Sequence, residues 1–300
     1  MSNASTTQLA LRRPAWGTLR VTGPEARGWL NGLLTCNVES VTLTQGVWGL
    51  LLNKRGKIVC DLTIVADETS LWLGTAYDTR ALFELLDSYL VMEDAELELG
   101  SAWTWLTLHG PGAMTAAVGH GSRAQARAAV AWSREEGAAL VVAEATLDAS
   151  LSQLNADSGA VLVADAEWST RRINAGLPAF DVDFGPDDNP HEAGLDRRTV
   201  DWTKGCYLGQ EVVCMQDMRG KVKRRLARLQ FDDAPQLSVG QEVTDATGTE
   251  VGRVTSSAAA PEPGQAAAIA RLKAPFFEPG SSVLVAERRA TVLELLPESP

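Results

Sequence analysis

The chain is poor in the residues that build disulfide frameworks and zinc sites. Its 300 residues include four cysteines, namely Cys36, Cys60, Cys206 and Cys214, and only three histidines. No two cysteines have C-x-x-C spacing, and no histidine lies at zinc-ligand spacing from them. We therefore expect neither a disulfide scaffold nor a bound metal, and we expect the thiols to be free, as in a reducing compartment.

Long apolar runs and an excess of basic charge are also absent. The longest apolar runs, such as Ala138–Ala143, are far too short to span a membrane. The start of the chain, Met1–Gln8, lacks the basic and apolar regions of a signal peptide, so we expect a soluble, cytoplasmic protein with no membrane partner. The 38 acidic residues outnumber the 27 basic ones and give a net charge of −11. This charge opposes non-specific binding to nucleic acids over the whole surface.

What remains is an ordinary globular composition arranged as alternating strands and helices. The length suits two or three domains. Residues 21–34 read as a strand end, a Gly-Pro turn and a helix, and residues 46–66 read as a β-hairpin. Asp78–Leu90 has the spacing of an amphipathic helix. The segments Val21–Ala26 and Leu108–Ala113 are weakly similar in sequence. Unless this match is coincidence, it predicts two similar α+β units.

The second half of the chain changes character twice. Residues 171–195 are rich in glycine, proline and aspartate, which is typical of a functional loop. After Gly220, short alternating segments with glycine turns predict a small antiparallel β-domain or barrel. We therefore divide the chain into a two-part α+β body, residues 1–219, and a C-terminal β-barrel, residues 220–300.

The segment with the clearest chemistry is Lys204–Glu211, with the sequence K-G-C-Y-L-G-Q-E. Gly205 and Gly209 permit a tight turn that would expose Cys206. Positive charge from Lys204 and nearby arginines would favour the reactive thiolate. The alternative is a buried structural cysteine, because free cysteines are commonly buried.

This segment resembles the signature of the YgfZ-type folate-binding proteins, which are relatives of the glycine cleavage T-protein, an aminomethyltransferase (GcvT-like). Other segments extend the resemblance along nearly the whole chain: Thr22–Ala26, Trp29–Gly32, Thr35–Val38, Gly56–Asp61, Arg172–Gly176, Pro190–Ala193 and Val251–Ser256. The resemblance implies a T-protein-like α+β fold, with two ferredoxin-like subdomains and a C-terminal antiparallel β-barrel around a central cavity. It also implies that tetrahydrofolate, or a one-carbon-substituted folate, binds in that cavity.

The resemblance assigns site residues unevenly. Asp61 falls where T-proteins carry the acid that works beside the folate amine, although a hairpin Asp bonded to backbone is the alternative. Asn174 stands where the family has a pterin-binding Glu, and it offers one acceptor oxygen and no charge. Glu192 is the candidate substitute, with a solvated loop acid as its alternative. Lys204 and Tyr207 complete the predicted folate site, and Tyr207, Trp48 and Trp202 are candidate aromatic walls, with simple core packing as the alternative for each.

Three functions follow from these observations. The first is a folate-binding accessory protein that maintains or repairs iron–sulfur clusters of client enzymes through Cys206; Cys206 and Asp61 are then the functional pair. The second is an aminomethyltransferase that transfers a one-carbon unit to tetrahydrofolate. The third is a folate-sensing module without chemistry. We favour the first, because T-proteins lack the cysteine, and leave open whether the protein is an enzyme.

A basic run near the predicted domain boundary raises the question of a nucleic-acid partner. Its default interpretation is a solvated surface, with attraction of a polyglutamate tail or an RNA backbone as alternatives. Aromatic residues do not interleave with it, so direct RNA binding is not expected, while a link to tRNA modification stays open. The run comprises Arg219, Lys221, Lys223, Arg224, Arg225 and Arg228.

Overall fold

The computed structural model describes residues 8–121, 123–220, 222–233, 236–259 and 266–296. Its contacts divide the chain into two compact units. Of the described residues, the first unit, which we call the N-terminal unit, contains those within 8–163 and 198–210, and the second, the C-terminal unit, contains those within 164–197 and 211–296. Within the described ranges, no helix is both long enough and apolar enough to cross a membrane. Most of the segment tested for a signal peptide, and Lys221 of the basic run, lie outside the described residues.

Strands and helices alternate through the N-terminal unit, and strands dominate the rest. The described strands are β1 (Ala10–Arg12), β2 (Gly17–Thr22), β3 (Val47–Leu52), β4 (Ile58–Ala66), β5 (Ser70–Thr75), β6 (Glu96–Leu99), β7 (Trp103–His109), β8 (Ala126–Ala129), β9 (Gly137–Ala143), β10 (Val161–Leu162), β11 (Arg224–Phe231), β12 (Glu242–Thr244), β13 (Glu250–Ala259), β14 (Ala266–Lys273), β15 (Ser282–Val285) and β16 (Arg288–Leu293). The described α-helices are α1 (Ala26–Leu33), α2 (Thr79–Asp87), α3 (Ala113–Gly119), α4 (Leu147–Ser158), α5 (Asp165–Asn174) and α6 (Gln210–Arg219).

The N-terminal unit contains two five-stranded sheets. The first sheet has the order β3-β4-β5-β2-β6 and is antiparallel throughout. The second has the order β10-β1-β7-β9-β8, in which only the β1–β10 pair is parallel. In each sheet a strand leads through a Gly-Pro turn into a helix, β2 into α1 and β7 into α3. The two similar segments are therefore the turns of a repeated strand–turn–helix unit. The predicted hairpin of residues 46–66 is confirmed as β3–β4.

The two sheets of this unit are joined by tryptophan side chains and by a backbone bridge between Gln45 and Ala129. Trp132 donates its indole N–H to the Thr63 hydroxyl at 3.0 Å. Gly74 lies against Trp105, and a Cβ atom at this glycine would be 2.6 Å from the indole ring. Such a distance is well inside van der Waals contact, so only glycine fits at this close approach between the sheets.

The C-terminal unit is built on a closed barrel of six strands. Its order is β11-β14-β13-β12-β15-β16, and β16 closes the ring by pairing with β11. Every neighbouring pair is antiparallel. Alternate residues fill the interior, among them Leu229, Phe231 and Val254, which are almost fully buried. The barrel strands begin at Arg224, close to the boundary predicted near Gly220.

The division at residue 219 stays a prediction, while contacts group residues 164–197 with the barrel. The reason is a buried polar cluster around Asp183. Its carboxylate accepts hydrogen bonds from Arg172 Nη1 at 2.7 Å and from the Ser256 hydroxyl at 2.7 Å. Arg172 also donates to the Ser256 hydroxyl at 2.8 Å. Loss of one partner of a buried, hydrogen-bonded ion pair strongly destabilises a protein, because it leaves a buried charge uncompensated. This cluster therefore fixes the loop-rich segment to strand β13.

Candidate functional site

The segment with the K-G-C-Y sequence belongs to the N-terminal unit, although it lies far along the chain from the sheets of that unit. Thr35, just after α1, donates its hydroxyl to the carbonyl of Thr199 at 2.6 Å and accepts the N–H of Leu50 at 2.9 Å. The backbone N–H of Asp201 donates to the carbonyl of Thr35 at 2.9 Å. One buried threonine therefore ties the incoming segment to strand β3.

Lys204 anchors the motif through its side chain. Its ammonium group donates to the backbone carbonyls of Asn31, Leu34 and Cys36 at 2.6, 2.7 and 2.7 Å. The first two carbonyls lie at the C-terminal end of α1, where helix carbonyls lack intrahelical partners and the helix dipole favours a cation. Partial burial lowers the pKa of Lys204, although nearby groups, including Asp201, oppose the shift.

The three hydrogen bonds use all three donors of the ammonium group. The Lys204 ammonium group is thus fully hydrogen-bonded to backbone carbonyls at and just after the end of α1. The centre of the Tyr207 ring lies 5.5 Å from the same nitrogen. Lys204 therefore holds the motif in place. Its predicted part in a folate site, and that of the buried Tyr207, stay predictions.

The four cysteines occupy very different environments. Cys206 is exposed, as the flanking glycines predict, so the alternative of a buried structural cysteine at this position is wrong. Burial raises the pKa of Cys36 to about 12, and burial together with the neighbouring charge of Asp61 raises the pKa of Cys60 well above its usual range. Cys214, on α6, is partly exposed. Among the four thiols, only Cys206 combines exposure with a place in the motif.

Gly209, near the end of the motif, lies against the hairpin that carries Asp61. It has φ +81°, and a Cβ atom there would lie 2.6 Å from the carbonyl oxygen of Asn53. Both the left-handed backbone and the close contact require glycine. The Asn53–Gly56 turn connects β3 to β4, so the motif packs on the turn that leads to Asp61.

Asp61 lies on β4 with its carboxylate held by a neighbouring tryptophan. The indole N–H of Trp48 donates to Asp61 Oδ2 at 2.9 Å, and Trp48 is buried. Trp48 pairs with Thr63 across the β3–β4 ladder, so it reaches Asp61 diagonally, as long side chains on one sheet face can. Sequence reasoning named Trp48 only as an aromatic wall and missed its N–H, which orients the candidate acid.

Asn174 and Glu192 belong to the C-terminal unit. The amide nitrogen of Asn174 donates to the carbonyls of Thr170 and Ala259, both at 2.9 Å. These bonds tie the end of α5 to strand β13 and use both amide N–H groups, which leaves the side-chain oxygen as its acceptor. Asn174 thus has a structural role, and its predicted role toward a pterin stays a prediction.

The alternative of a solvated loop acid at Glu192 is wrong. Its side chain is 13% exposed, and it accepts hydrogen bonds from Arg224 Nε at 3.2 Å and from the backbone N–H of Asn189 at 3.3 Å. The carboxylate is therefore already paired within the unit.

The default interpretation of the basic run as a solvated surface is also wrong for part of it. Arg224 pairs with Glu192, and Arg225 Nη2 lies 2.9 Å from the Asp196 carboxylate. Arg228 donates to the backbone carbonyl of Asn174. These arginines connect the 164–197 segment to the barrel, and their side chains are paired with or hydrogen-bonded to groups of the same unit, although Arg224 remains 42% exposed.

Comparisons with known proteins give matches to part or most of the chain. Residues 14–145 match the protein family described as "GCVT N-terminal domain". An aminomethyltransferase of Saccharopolyspora erythraea is 25% identical over 301 residues, which covers 92% of this chain and 82% of the relative. The crystal structure of glycine cleavage system aminomethyltransferase T from Bartonella henselae superposes with a TM-score of 0.80 at 20% identity, covering 97% of this chain and 86% of that chain.

Part of the chain thus matches the GCVT N-terminal domain, and the whole chain is similar to aminomethyltransferases of the glycine cleavage system. The structural match confirms the predicted fold class, with two ferredoxin-like α+β sheets and a closed antiparallel C-terminal β-barrel. In the described ranges, no group of three His, Cys, Asp or Glu side chains is arranged to hold a metal ion.

Proposed function

We propose that this protein is a folate-binding accessory protein of the YgfZ type, which uses Cys206 in maintaining or repairing iron–sulfur clusters of client enzymes. The observation that carries the proposal is the contrast among the thiols. Cys206 is exposed on a segment anchored by Thr35, Lys204 and Gly209, whereas Cys36 and Cys60 are buried. An exposed thiol on a rigid support is suited to chemistry with another protein.

The residues predicted for the folate site meet only part of what binding a pterin requires. Asp61 offers a carboxylate whose orientation is set by Trp48. Asn174 offers a single acceptor oxygen, and the Glu192 carboxylate is engaged by Arg224. A paired carboxylate–pterin contact through Asn174 is therefore replaced by one neutral hydrogen bond, and we expect folate affinity to be lower than with a glutamate there. When bound, a reduced folate would supply a carrier for one-carbon units.

The chemistry proposed for Cys206 needs only its thiolate. A thiolate can ligate an iron atom of a damaged client cluster, which is substrate rather than a resident metal, or attack a disulfide of the client. In the second case, the Cys206 sulfur bonds to one client sulfur, and the other client sulfur leaves as a thiolate. No further oxidant or reductant is required.

Rescue of a deletion strain tests the proposal. The wild-type gene should restore the activity of iron–sulfur enzymes in a strain that lacks it, and Cys206→Ala should fail although the variant folds. Cys214→Ala, which removes the other thiol with solvent access, is the matched control and should restore activity. Full rescue by Cys206→Ala would overturn the role of the thiol.

An aminomethyltransferase is the second candidate, favoured by the family match to residues 14–145 and by the oriented Asp61 carboxylate. This function predicts turnover that depends on added tetrahydrofolate and is lost in Asp61→Asn. It also predicts that Cys206→Ala keeps this turnover. The accessory function therefore predicts that Cys206→Ala fails in the rescue assay. The aminomethyltransferase function predicts that Asp61→Asn fails in the turnover assay while Cys206→Ala keeps its turnover.

A further inference from the structure

We propose that a cavity at one end of the two sheets of the N-terminal unit binds a small zwitterion, an aliphatic α-amino acid, at a site separate from the folate and thiol residues. The cavity has a volume of about 360 Å³. It lies between the turn that joins β4 to β5, which supplies Glu68, and the start of β8, which supplies Arg127. The pocket is open to solvent on one side, since Glu68, Thr69 and Gln125 are exposed, and its volume is near the low end of the range of small-molecule sites.

The wall of the cavity is held rigid by Asp67. Its carboxylate accepts hydrogen bonds from Gln125 Nε2 at 2.7 Å, from Trp72 Nε1 at 2.9 Å, and from the backbone N–H groups of Thr69 and Ser70 at 2.8 and 2.7 Å. Burial alone would raise the pKa of Asp67, but these hydrogen bonds lower it below its usual range. Asp67 is therefore ionised and saturated by protein donors. It links the two sheets and leaves the other groups to meet a ligand.

Arg127 supplies the positive charge. One of its Nη1 N–H groups donates to the carbonyl of Gly121 at 3.2 Å, and its Nε is shielded from solvent without a hydrogen-bond acceptor among the described residues. No described carboxylate pairs with it. Because guanidinium N–H groups in proteins are normally satisfied, the remaining Nη donors are suited to the carboxylate of a ligand.

The opposite charge and an apolar wall complete the chemistry. Glu68 is exposed and lines the same cavity. Gln125 has its amide nitrogen committed to Asp67, so its carbonyl oxygen remains an acceptor for a ligand ammonium group. Leu43, about half exposed, offers contact to an aliphatic side chain. Since the protein carries a net charge of −11, a neutral zwitterion meets less long-range repulsion than a simple anion.

Calorimetric titration of the full chain with three probes tests this site without reference to folate or iron–sulfur clusters. The probes are L-valine, 3-methylbutanoate, which is valine without its amine, and 2-methylpropylamine, which is valine without its carboxylate. We expect L-valine to bind with a Kd below about 10 mM, and each truncated probe to bind at least about tenfold more weakly, because each loses a charge-assisted contact.

Variants locate the binding. Arg127→Gln should weaken L-valine binding at least about tenfold, whereas Arg80→Gln, a matched change at an exposed position of α2, should leave it unchanged. If Arg127→Gln does not fold, Glu68→Gln serves instead, because it should weaken L-valine binding but not 3-methylbutanoate binding. Absence of L-valine binding, equal binding of the three probes, or wild-type affinity in the folded Arg127→Gln or Glu68→Gln variant would overturn the proposal.

Discussion

Replacing Lys204 with methionine should loosen the segment that presents Cys206. The change keeps a long apolar side chain but removes three hydrogen bonds of 2.6–2.7 Å to the carbonyls of Asn31, Leu34 and Cys36. At about 1 kcal/mol net for each bond, the loss is about 3 kcal/mol. The ammonium group is partly desolvated, and its removal recovers some of that cost, so we expect the free energy of unfolding to fall by about 2–3 kcal/mol.

Urea unfolding followed by tryptophan fluorescence measures this change. Lys54→Met, at an exposed position in the β3–β4 turn, is the matched control and should change stability by less than about 0.5 kcal/mol. Amide hydrogen exchange should also accelerate across residues 199–210 in Lys204→Met. A loss below about 1 kcal/mol, with unchanged exchange in that segment, would refute the assignment of Lys204 as the anchor of the motif.

Three further predictions concern other parts of the chain. Iodoacetamide should alkylate Cys206 at neutral pH much faster than Cys36, whose thiol is buried and has its pKa raised to about 12. Burial lowers the pKa of His120, so the unfolded chain binds the proton more readily; stability should therefore fall as the pH drops below about 6.5, and His120→Leu should reduce this dependence. Asn174→Glu should tighten reduced-folate binding by about 1.5–3 kcal/mol, as measured by calorimetry, if the position faces the pterin.

Each of these predictions has a result that contradicts it. Equal alkylation rates for the two thiols would contradict the assignment of Cys206 as the accessible one. An unchanged pH dependence in His120→Leu would show that other groups cause it. Unchanged folate affinity in a folded Asn174→Glu variant would leave position 174 with only its structural role at the end of α5. The substitution itself removes the two hydrogen bonds of the Asn174 amide and places a negative charge at the C-terminal end of the helix dipole.

Local sequence signals predicted much of the fold. The hairpin at residues 46–66 and the Asp78–Leu90 helix appear as β3–β4 and α2, since hydrophobic periodicity and turn residues are local properties. Helix α6 was missed because its apolar residues do not form a clear face. Its only buried residue is Val213.

The anchoring of the site could not be predicted in the same way. Lys204 binds carbonyls near residue 34, about 170 residues earlier in the chain, and no local pattern encodes that contact. Composition likewise gave no sign that Arg224 and Arg225 would be paired with Glu192 and Asp196. The exposure of Cys206 was predictable because the flanking glycines carry a local signal.

Calorimetric titration with tetrahydrofolate tests most directly the claim that this protein joins a folate site to a separate functional thiol. The wild-type protein should bind tetrahydrofolate, Asp61→Ala should lose most of that binding, and Cys206→Ala should bind as the wild type does. Absence of binding at millimolar tetrahydrofolate, or equal affinity in Asp61→Ala and the wild type, would contradict the account.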